Sequence, residues 1–228
     1  MRKTVLFDLD DTLYPELSFV KSGYHAVSEL INDKYRLNGD FFDELFALFT
    51  EDPKRVFNRF LEKHSLGCSG EDIRELVTCY REHEPSICLY PDALNTLLKL
   101  KAMGYGLGII SDGYAISQKN KIKALFPHDE DIFDKIILTD ELGEDYHKPD
   151  SRAFLMMKEF FGTKWEEMAY VGDNPKKDFY IGKAFPILTI RLFKQGTVYE
   201  NSPYLNDLRE KLRIFKLSEL TEIVEGYL

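Results

Sequence analysis

The strongest constraint on the fold is a short apolar run near the N-terminus that stops at acidic residues. Residues 5–13 read VLFDLDDTL, so the apolar residues 5–7 are followed at once by Asp8, with Asp10 two positions later. A β-prone run of this kind is typical of a buried parallel strand. Ligands bind at the carboxyl ends of strands in open α/β sheets. We therefore expect Asp8 and Asp10 to lie at the rim of a sheet, beside a ligand.

The last two-thirds of the chain alternate between strand and helix patterns. An alternation of this kind predicts an α/β fold, with a Rossmann-like parallel sheet flanked by helices on both faces. The predicted strands cover residues 105–110, 136–138, 168–171 and 187–190, and the predicted helices begin at residue 91 and then cover 115–125, 151–161, 176–185 and 217–227.

A long helical segment separates the first strand from this alternation. From Glu16 to His83, apolar residues recur at three- and four-residue spacing in four stripes, which predicts four amphipathic helices. The next strand follows about a hundred residues after the first, whereas a simple strand-helix-strand unit takes roughly thirty. We therefore predict an α/β core formed by residues 1–14 and 89–228, and an inserted α-helical bundle, residues 15–88, placed to act as a cap domain.

Composition and charge limit the classes of partner. The 228 residues include 39 acidic and 30 basic side chains, for a net charge of -9, and no basic block predicts binding to nucleic acid. Cys68, Cys79 and Cys88 lack metal-site spacing and are typical of reduced thiols. No signal peptide or membrane-spanning run is evident. We expect a soluble cytoplasmic protein without nucleic-acid or membrane partners; the oligomeric state is open.

Three further motifs follow predicted strands and should lie at the same rim. Residues 111–113 (SDG) offer a hydroxyl and a glycine backbone that an anion can approach closely. Lys148 precedes a predicted helix, and residues 172–175 (GDNP), followed by Asp178, add carboxylates after a buried strand. Taken singly, turn chemistry, a surface lysine and helix capping explain these motifs equally well. Their order and their shared position at strand ends favour a common site.

Electrostatics indicates what this site needs. If Asp8, Asp10 and Asp173 pack within several ångströms, each close pair repels by roughly 4 kcal/mol at an effective dielectric near twenty, and one lysine cannot neutralise them. Oxygen ligands without histidine or thiolate suit Mg²⁺. A magnesium ion, Lys148 and the hydroxyl of Ser111 aimed at one point would form a phosphate pocket.

In these residues the chain resembles the haloacid dehalogenase superfamily, in its phosphatase branch with a helical cap inserted after the first strand. The resemblance rests on four motifs in order along the chain: residues 8–12 (DLDDT), residues 111–113 (SDG), residues 148–149 (KP), and residues 172–174 (GDN) with Asp178.

The resemblance implies a phosphatase that forms an aspartyl-phosphate intermediate. Asp8 would be the nucleophile, and Asp10 would protonate the leaving alcohol and then deprotonate the hydrolytic water. Ser111 would hold the phosphoryl oxygens, and Lys148 would offset the negative charge on Asp8 and phosphate. The residues expected to bind substrate are Asp8, Asp10, Ser111, Asp112, Gly113 and Lys148.

The resemblance also implies a magnesium site. Mg²⁺ would be bound by Asp8, by Asp173 and by the backbone carbonyl of Asp10. Three residues would support these ligands without touching the ion: Thr12, Asn174 and Asp178.

Asp10 points to the class of substrate. Dehalogenases of this superfamily lack an acid two residues after the nucleophile, because a halide leaves without protonation, so Asp10 favours a phosphate ester. Asp11 and Asp112 stand where the family often has Gly and Asn, and both would add negative charge near the pocket. The substrate is expected to be a small phosphorylated metabolite, with nucleotides and sugar phosphates both open.

Three other functions stay open. A phosphomutase of the same superfamily would use the same four motifs. A receiver-like signalling module also combines an acidic cluster with a lysine, but it places its acceptor aspartate on a middle strand. A non-catalytic phosphate-binding protein that kept the fold is the third.

Overall fold

Six parallel strands form one sheet in a computed structural model that describes residues 2–128 and 130–228. The strand order is β3-β2-β1-β4-β5-β6. The first strand of the chain therefore lies in the interior of the sheet, and the prediction of a parallel α/β sheet is confirmed. The strands are β1 (Thr4–Phe7), β2 (Gly106–Ser111), β3 (Lys135–Leu138), β4 (Met168–Gly172), β5 (Leu188–Leu192) and β6 (Leu212–Ile214).

Helices cover both faces of the sheet because its strands are apolar on both. In β1, Val5 and Phe7 contribute to one apolar cluster and Leu6 contributes to the other. Helices α5, α6 and α9 pack on the Val5 side, and α7 and α8 pack on the Leu6 side. These helices are α5 (Ala93–Ala102), α6 (Ala115–Leu125), α7 (Arg152–Phe161), α8 (Ile181–Ala184) and α9 (Leu220–Tyr227).

The segment between β1 and α5 folds into four helices with a third apolar cluster of their own, as the stripes predicted. Ser69 begins the last of them, with its hydroxyl and the Asp72 carboxylate forming a reciprocal capping box. The four helices are α1 (Glu16–Tyr35), α2 (Phe42–Glu51), α3 (Val56–Lys63) and α4 (Gly70–Glu82). The exact division into a core of residues 1–14 and 89–228 and a cap of residues 15–88 stays a prediction.

The chain leaves the sheet and returns to it at neighbouring points. The amide of Tyr90 donates a hydrogen bond of 2.9 Å to the carbonyl of Leu13, so the outgoing and returning segments touch. Near the C-terminal end of the insertion, the Ser117 hydroxyl on α6 donates to the Arg81 carbonyl in the last turn of α4. The helical insertion is therefore held beside the carboxyl ends of β1 and β2.

Two predictions about secondary structure were wrong. The predicted helix over residues 176–185 is reduced to α8, because the Pro175 carbonyl accepts a hydrogen bond from the Leu205 amide instead of continuing a helix. The strand β6 was missed, since its three residues stand in a charged stretch and form a sheet edge.

None of the helices within residues 2–128 and 130–228 combines the length and apolar character needed to traverse a bilayer. The three cysteines are free, and Cys68 and Cys88 are exposed.

Candidate active site

The carboxyl ends of three adjacent strands bring predicted site residues together. Asp8 follows β1, Ser111 ends β2, and Asp173 follows β4. The amide of Asp8 extends the strand pairing by donating a 2.8 Å hydrogen bond to the Val171 carbonyl. The side chains of Asp8, Ser111 and Asp173 are all buried. Residues more than a hundred positions apart in the chain thus meet at one edge of the sheet.

Lys148 lies at the centre of this edge. Its Nζ is 2.7 Å from Asp8 Oδ1, 2.9 Å from Asp178 Oδ1 and 2.7 Å from the Tyr170 hydroxyl, and its side chain is fully buried. Burial alone would lower the pKa of Lys148, but the Asp178 and Asp8 carboxylates outweigh burial and raise that pKa well above its usual value. Lys148 is therefore a fixed positive charge beside Asp8.

Two of the clustered carboxylates keep oxygen atoms that can bind a ligand. Asp8, Asp173 and Asp178 each offer an oxygen, and these atoms all lie within 4.8 Å of one another. Both oxygens of Asp178 are occupied, Oδ1 by Lys148 and Oδ2 by the Asn174 amide at 2.8 Å. In contrast, Oδ2 of Asp173 is buried and has no hydrogen-bond partner within residues 2–128 and 130–228. Asp8 and Asp173 are therefore the carboxylates free to hold a cation.

The cluster carries more negative charge than its lysine balances. Burial raises the pKa of Asp8 to about 6, although Lys148 opposes the shift. Burial, together with the Asp178 and Asp8 carboxylates, raises the pKa of Asp173 well above its usual value. Ionised carboxylates in such surroundings need a cation, and a set of oxygen donors without histidine or thiolate fits a hard divalent ion.

Two hydroxyls at the site also lack partners. Ser111 Oγ and Thr12 Oγ1 are buried and make no hydrogen bond to any residue that the structure describes. Buried polar atoms are nearly always hydrogen-bonded, and leaving one unpaired costs about 1–3 kcal/mol. Together with Asp173 Oδ2, the hydroxyl of Ser111 fits a site that binds a cation and an anionic group side by side.

Asp10 is held by three donors at the same edge. Its Oδ1 accepts hydrogen bonds from Lys121 Nζ at 2.7 Å and from the Tyr14 hydroxyl at 2.5 Å, and its Oδ2 accepts one from Gln118 Nε2 at 2.8 Å. Burial would raise the pKa of Asp10, but Lys121 and these hydrogen bonds lower it below the usual value. Asp10 is thus a fixed carboxylate near Asp8.

In the loop after β2, the Asp112 carboxylate makes internal contacts. Asp112 Oδ1 accepts hydrogen bonds from the Thr139 hydroxyl at 2.8 Å and the Lys148 amide at 3.1 Å, and Oδ2 pairs with Lys177 Nζ at 2.8 Å. Burial opposes ionisation, but Lys148 and Lys177 lower the pKa of Asp112 to about 2. Its carboxylate therefore orders the loop that carries Lys148.

Asp11, the other acid that differs from the family pattern, also makes internal contacts. Asp11 adopts a positive φ of 50° and is buried. Its Oδ1 accepts a 2.9 Å hydrogen bond from the Glu16 amide at the start of α1, and its Oδ2 accepts one of 3.4 Å from the Val198 amide. Asp11 therefore ties the first turn of the insertion to the segment after β5.

A cavity of about 360 Å³ opens at this edge between the sheet and the insertion. Its walls include the candidate catalytic carboxylates from the sheet side and aromatic and charged side chains from α1 and α4. The residues from the insertion are Glu16, Phe19, Tyr80 and Arg81, and those facing them include Asp8, Asp10, Gly113, Lys121, Asp173 and Lys177. A small molecule in the cavity would touch both parts of the chain.

Comparison with known proteins identifies the family. A protein-family model described as haloacid dehalogenase-like hydrolase matches residues 2–185. The chain belongs to the haloacid dehalogenase-like hydrolases. The predicted family and the prediction of a hydrolase are thereby confirmed.

Named relatives of this haloacid dehalogenase-like hydrolase are phosphatases. The glyceraldehyde 3-phosphate phosphatase of Methanocaldococcus jannaschii is 31% identical, in an alignment that covers 95% of this chain and 98% of that protein. The enzyme of the same name from Methanopyrus kandleri is 27% identical, with 98% and 97% covered. The crystal structure of a 2-haloacid dehalogenase from Pseudomonas syringae has a TM-score of 0.67 at 23% identity, with both chains covered completely, and shows the shared fold.

Several residues of this site were not predicted from the sequence. Tyr170 touches Lys148, Gln118 and Lys121 touch Asp10, and Arg191 donates a 3.1 Å hydrogen bond to the Asp173 carbonyl. Tyr170 lies inside a predicted strand, where it matches the buried pattern expected of a sheet, and Arg191 lies in β5, one residue beyond the strand that the sequence predicted. Gln118 and Lys121 are polar residues on a helix, which is normally a sign of solvent exposure. Only the three-dimensional contacts distinguish them.

Proposed function

We propose that this haloacid dehalogenase-like hydrolase is a Mg²⁺-dependent phosphatase that hydrolyses a small phosphate monoester through an aspartyl-phosphate on Asp8. The observation that carries the proposal is the position of Asp8. Its buried carboxylate is fixed by Lys148 at 2.7 Å. Asp173 Oδ2 and the Ser111 hydroxyl follow or end the neighbouring strands, and neither has a hydrogen-bond partner among the residues that the structure describes.

The proposed first half-reaction transfers the phosphoryl group to Asp8. An oxygen of the Asp8 carboxylate forms a bond to phosphorus while the bond from phosphorus to the ester oxygen breaks. Asp10 acts here in its acid form, which the negative charge of a bound phosphate favours. It gives its proton to the departing oxygen, which leaves as an alcohol, and Asp10 is left as the carboxylate. Lys148, which holds Asp8 Oδ1, orients the nucleophile and offsets the charge that a phosphate brings to the site.

The proposed second half-reaction restores the enzyme. Water attacks the phosphorus of the aspartyl-phosphate, Asp10 takes a proton from that water, and the bond from phosphorus to Asp8 breaks. Inorganic phosphate and the free Asp8 carboxylate result. Two displacements replace one very slow direct hydrolysis, and the acyl phosphate between them is reactive enough for water to cleave.

The residues proposed to hold Mg²⁺ are Asp8, Asp173 and the backbone carbonyl of Asp10. A bound Mg²⁺ would neutralise the negative charge on the phosphoryl oxygens and on the clustered carboxylates. Asp178, whose oxygens are both occupied by Lys148 and the Asn174 amide, would hold these elements in place without touching the ion. The unpaired Thr12 hydroxyl next to Asp10 in the same loop would give further support.

The phosphoryl group is proposed to bind between Ser111, Gly113 and Lys148. Ser111 Oγ has a donor to give, since it makes no hydrogen bond within the part of the chain that the structure describes. Gly113 lines the cavity and adopts a φ of 110°, a backbone conformation that glycine reaches without steric cost. The Asp112 backbone between them would complete this part of the pocket.

The substrate is proposed to be a small phosphorylated metabolite of the sugar-phosphate class. The cavity of about 360 Å³ suits a leaving group of a few carbon atoms in addition to phosphate. Both glyceraldehyde 3-phosphate phosphatases named above are covered almost completely by this chain, which supports the same class. Residues 15–88, which contribute Glu16 and Arg81 to the cavity, would act as a cap that selects the leaving group.

A phosphate-release assay tests the proposal. The protein is incubated with glyceraldehyde 3-phosphate, glycerol phosphate and an aryl phosphate, with Mg²⁺ or with EDTA. We expect release of phosphate that requires Mg²⁺ and that is lost in D8N, whereas the matched exposed variant D43N keeps full activity. Turnover by D8N, or equal turnover in EDTA, would contradict the proposal. A cytoplasmic location and the lack of nucleic-acid or membrane partners stay predictions.

A further inference from the structure

The two α6 residues that hold Asp10 have unusual surroundings for polar side chains. Lys121 and Gln118 are 5% and 2% exposed, and both line the cavity. They stand three residues apart, so they project from the same face of α6 toward Asp10. Lys121 takes one carboxylate oxygen and Gln118 takes the other. The Asp10 carboxylate is therefore fixed in rotation as well as in position.

The glycine at position 113 leaves space for Gln118 to reach Asp10. Its Nε2 donates to Asp10 Oδ2 at 2.8 Å and to the Asp112 carbonyl at 2.5 Å, two acceptors that settle the orientation of the amide. A Cβ atom at Gly113 would lie 3.0 Å from this Nε2, and the φ of 110° there also favours glycine. Gly113 thus leaves room for an amide that joins the loops after β1 and β2.

Other contacts fix α6 itself. Ser117 donates a 2.6 Å hydrogen bond to the Arg81 carbonyl, and Asn120 donates one of 2.9 Å to the Glu82 carbonyl at the end of α4. Lys121 Nζ also lies 4.3 Å from the ring centre of Phe19 on α1. The helical insertion therefore holds the helix that carries Lys121 and Gln118.

Packing alone does not account for a buried lysine at this place. Removing a cation from water costs several kcal/mol, and an apolar side chain of similar size is often as stable or more stable. Asp10 is the only acid within 4.0 Å of Lys121 Nζ among residues 2–128 and 130–228. The Asp10 side chain is 19% exposed, so the carboxylate that Lys121 holds still opens on the cavity.

We propose that Lys121 and Gln118 are positioning residues that hold the Asp10 carboxylate for proton transfer between the phosphate ester's leaving oxygen and the enzyme. This inference rests on the proposed function, in which Asp10 supplies that proton. Without the two donors, the Tyr14 hydroxyl would hold the carboxylate by Oδ1 alone, so Oδ2 could move. Proton transfer requires hydrogen-bond distance in a defined direction. The chemistry at Asp8 would keep its other parts.

The test uses the dependence of the rate on the leaving group. The value of kcat/KM is measured for glycerol phosphate, whose alkoxide must be protonated, and for 2,4-dinitrophenyl phosphate, whose phenolate leaves without a proton. The variants are D10N, K121M, K121R and Q118L, with K123M as a control at an exposed position on the same helix. Thermal unfolding of each variant shows whether it is folded.

The proposal predicts one shared pattern. General acid catalysis contributes about 10²–10⁴-fold, so D10N should lose that much on glycerol phosphate and far less on the dinitrophenyl ester. K121M and Q118L should show the same selective loss at about 10–100-fold, K121R should recover part of it, and K123M should match the unsubstituted protein. A defect in folding alone would lower both rates equally.

Two results would overturn the inference. One is equal loss on both esters in folded K121M and Q118L, and the other is no loss on glycerol phosphate in a protein whose D10N variant shows the selective loss. If K121M does not fold, Q118L decides by the same criterion. Failure of the proposed function can be distinguished from failure of this inference, because the unsubstituted protein would then release no phosphate from either ester.

Discussion

The carboxyl group of Asp178 packs directly against the backbone of Gly172. A Cβ atom at position 172 would lie 2.5 Å from Asp178 Oδ2 and 2.7 Å from Cγ of that residue. Asp178 is fully buried and pairs with Lys148, so it cannot move aside without loss of that ion pair. Glycine at position 172 is therefore required by the contact that orders Lys148, and not by a positive φ.

The substitution G172A tests this relationship. We expect it to lower the free energy of unfolding by about 1–3 kcal/mol and to lower phosphatase activity at least tenfold, since overpacking would displace Asp178 and with it Lys148. Chemical unfolding and the phosphate-release assay measure the two effects. The matched change G226A, in α9 with open space around the glycine, should be neutral or slightly stabilising. A fully active and stable G172A would contradict the structural reading.

Lys148 is expected to serve both stability and activity. In K148M, the buried Asp8 and Asp178 carboxylates lose their cation, which we expect to cost about 3–5 kcal/mol, as for other broken buried ion pairs. We also expect K148M to be inactive. In K148M/D178N, one of the two uncompensated charges is removed, so chemical unfolding should show that part of the stability returns, while the phosphate-release assay should still show no activity. Recovery of activity in the double variant would show that Lys148 does not act on Asp8 or phosphate.

Much of this fold could be predicted from the sequence because the signals are local. An apolar run that ends at Asp8 marks a parallel strand, and motifs that follow other apolar runs must lie at the same edge. The helical stripes between residues 16 and 83 likewise predict the insertion. Apolar periodicity is enough for such features, since it reflects which face of each element is buried.

The features of the fold and site that the sequence did not predict depend on contacts between residues distant in the chain. In the sequence, Tyr170 matches an ordinary strand residue. Only the structure shows that its hydroxyl lies between Lys148 and Asp178. The predicted helix over residues 176–185 was too long because the Leu205 amide, thirty residues along the chain, captures the Pro175 carbonyl. Neither contact leaves a local pattern, so spacing rules could not find it.

Loss of the Tyr170 hydroxyl should have a moderate effect on stability and a small effect on activity. Its hydroxyl accepts from Lys148 Nζ at 2.7 Å and donates to Asp178 Oδ1 at 3.0 Å, and burial raises its pKa far above the usual value, so it stays protonated. We expect Y170F to lower the free energy of unfolding by about 1–2 kcal/mol, the cost of buried partners left unpaired. Because the Tyr170 hydroxyl is already engaged by Lys148 and Asp178, we do not expect it to contact substrate, so kcat should fall less than tenfold with KM unchanged. The exposed control Y227F should change neither quantity, and a large rise in KM in Y170F would place Tyr170 in direct contact with substrate.

Glu16 should make the stability of the metal-free protein depend on pH. Burial, and next the Asp10 carboxylate, raise the pKa of Glu16 from 4.5 to about 8. An acid with a raised pKa in the folded state contributes stability that is fully present below pH 4.5 and is lost as the pH rises through 8. In EDTA, we expect E16Q to be more stable than the unsubstituted protein at pH 8.5, on the order of 2 kcal/mol, and to differ little from it near pH 4.5. Thermal unfolding across this pH range measures the difference, and an identical pH dependence in the two proteins would contradict the raised pKa of Glu16.

The central claim is that Asp8 becomes covalently phosphorylated. The most direct measurement is to quench the protein during turnover of a phosphate ester with Mg²⁺, reduce any acyl phosphate with borohydride, and locate the product by peptide mass spectrometry. We expect reduction of the side chain at position 8 to that of homoserine, only when substrate and Mg²⁺ are present, and none in D8N. Steady turnover with no modification at position 8, or with the modification at another acid such as Asp10 or Asp173, would contradict it.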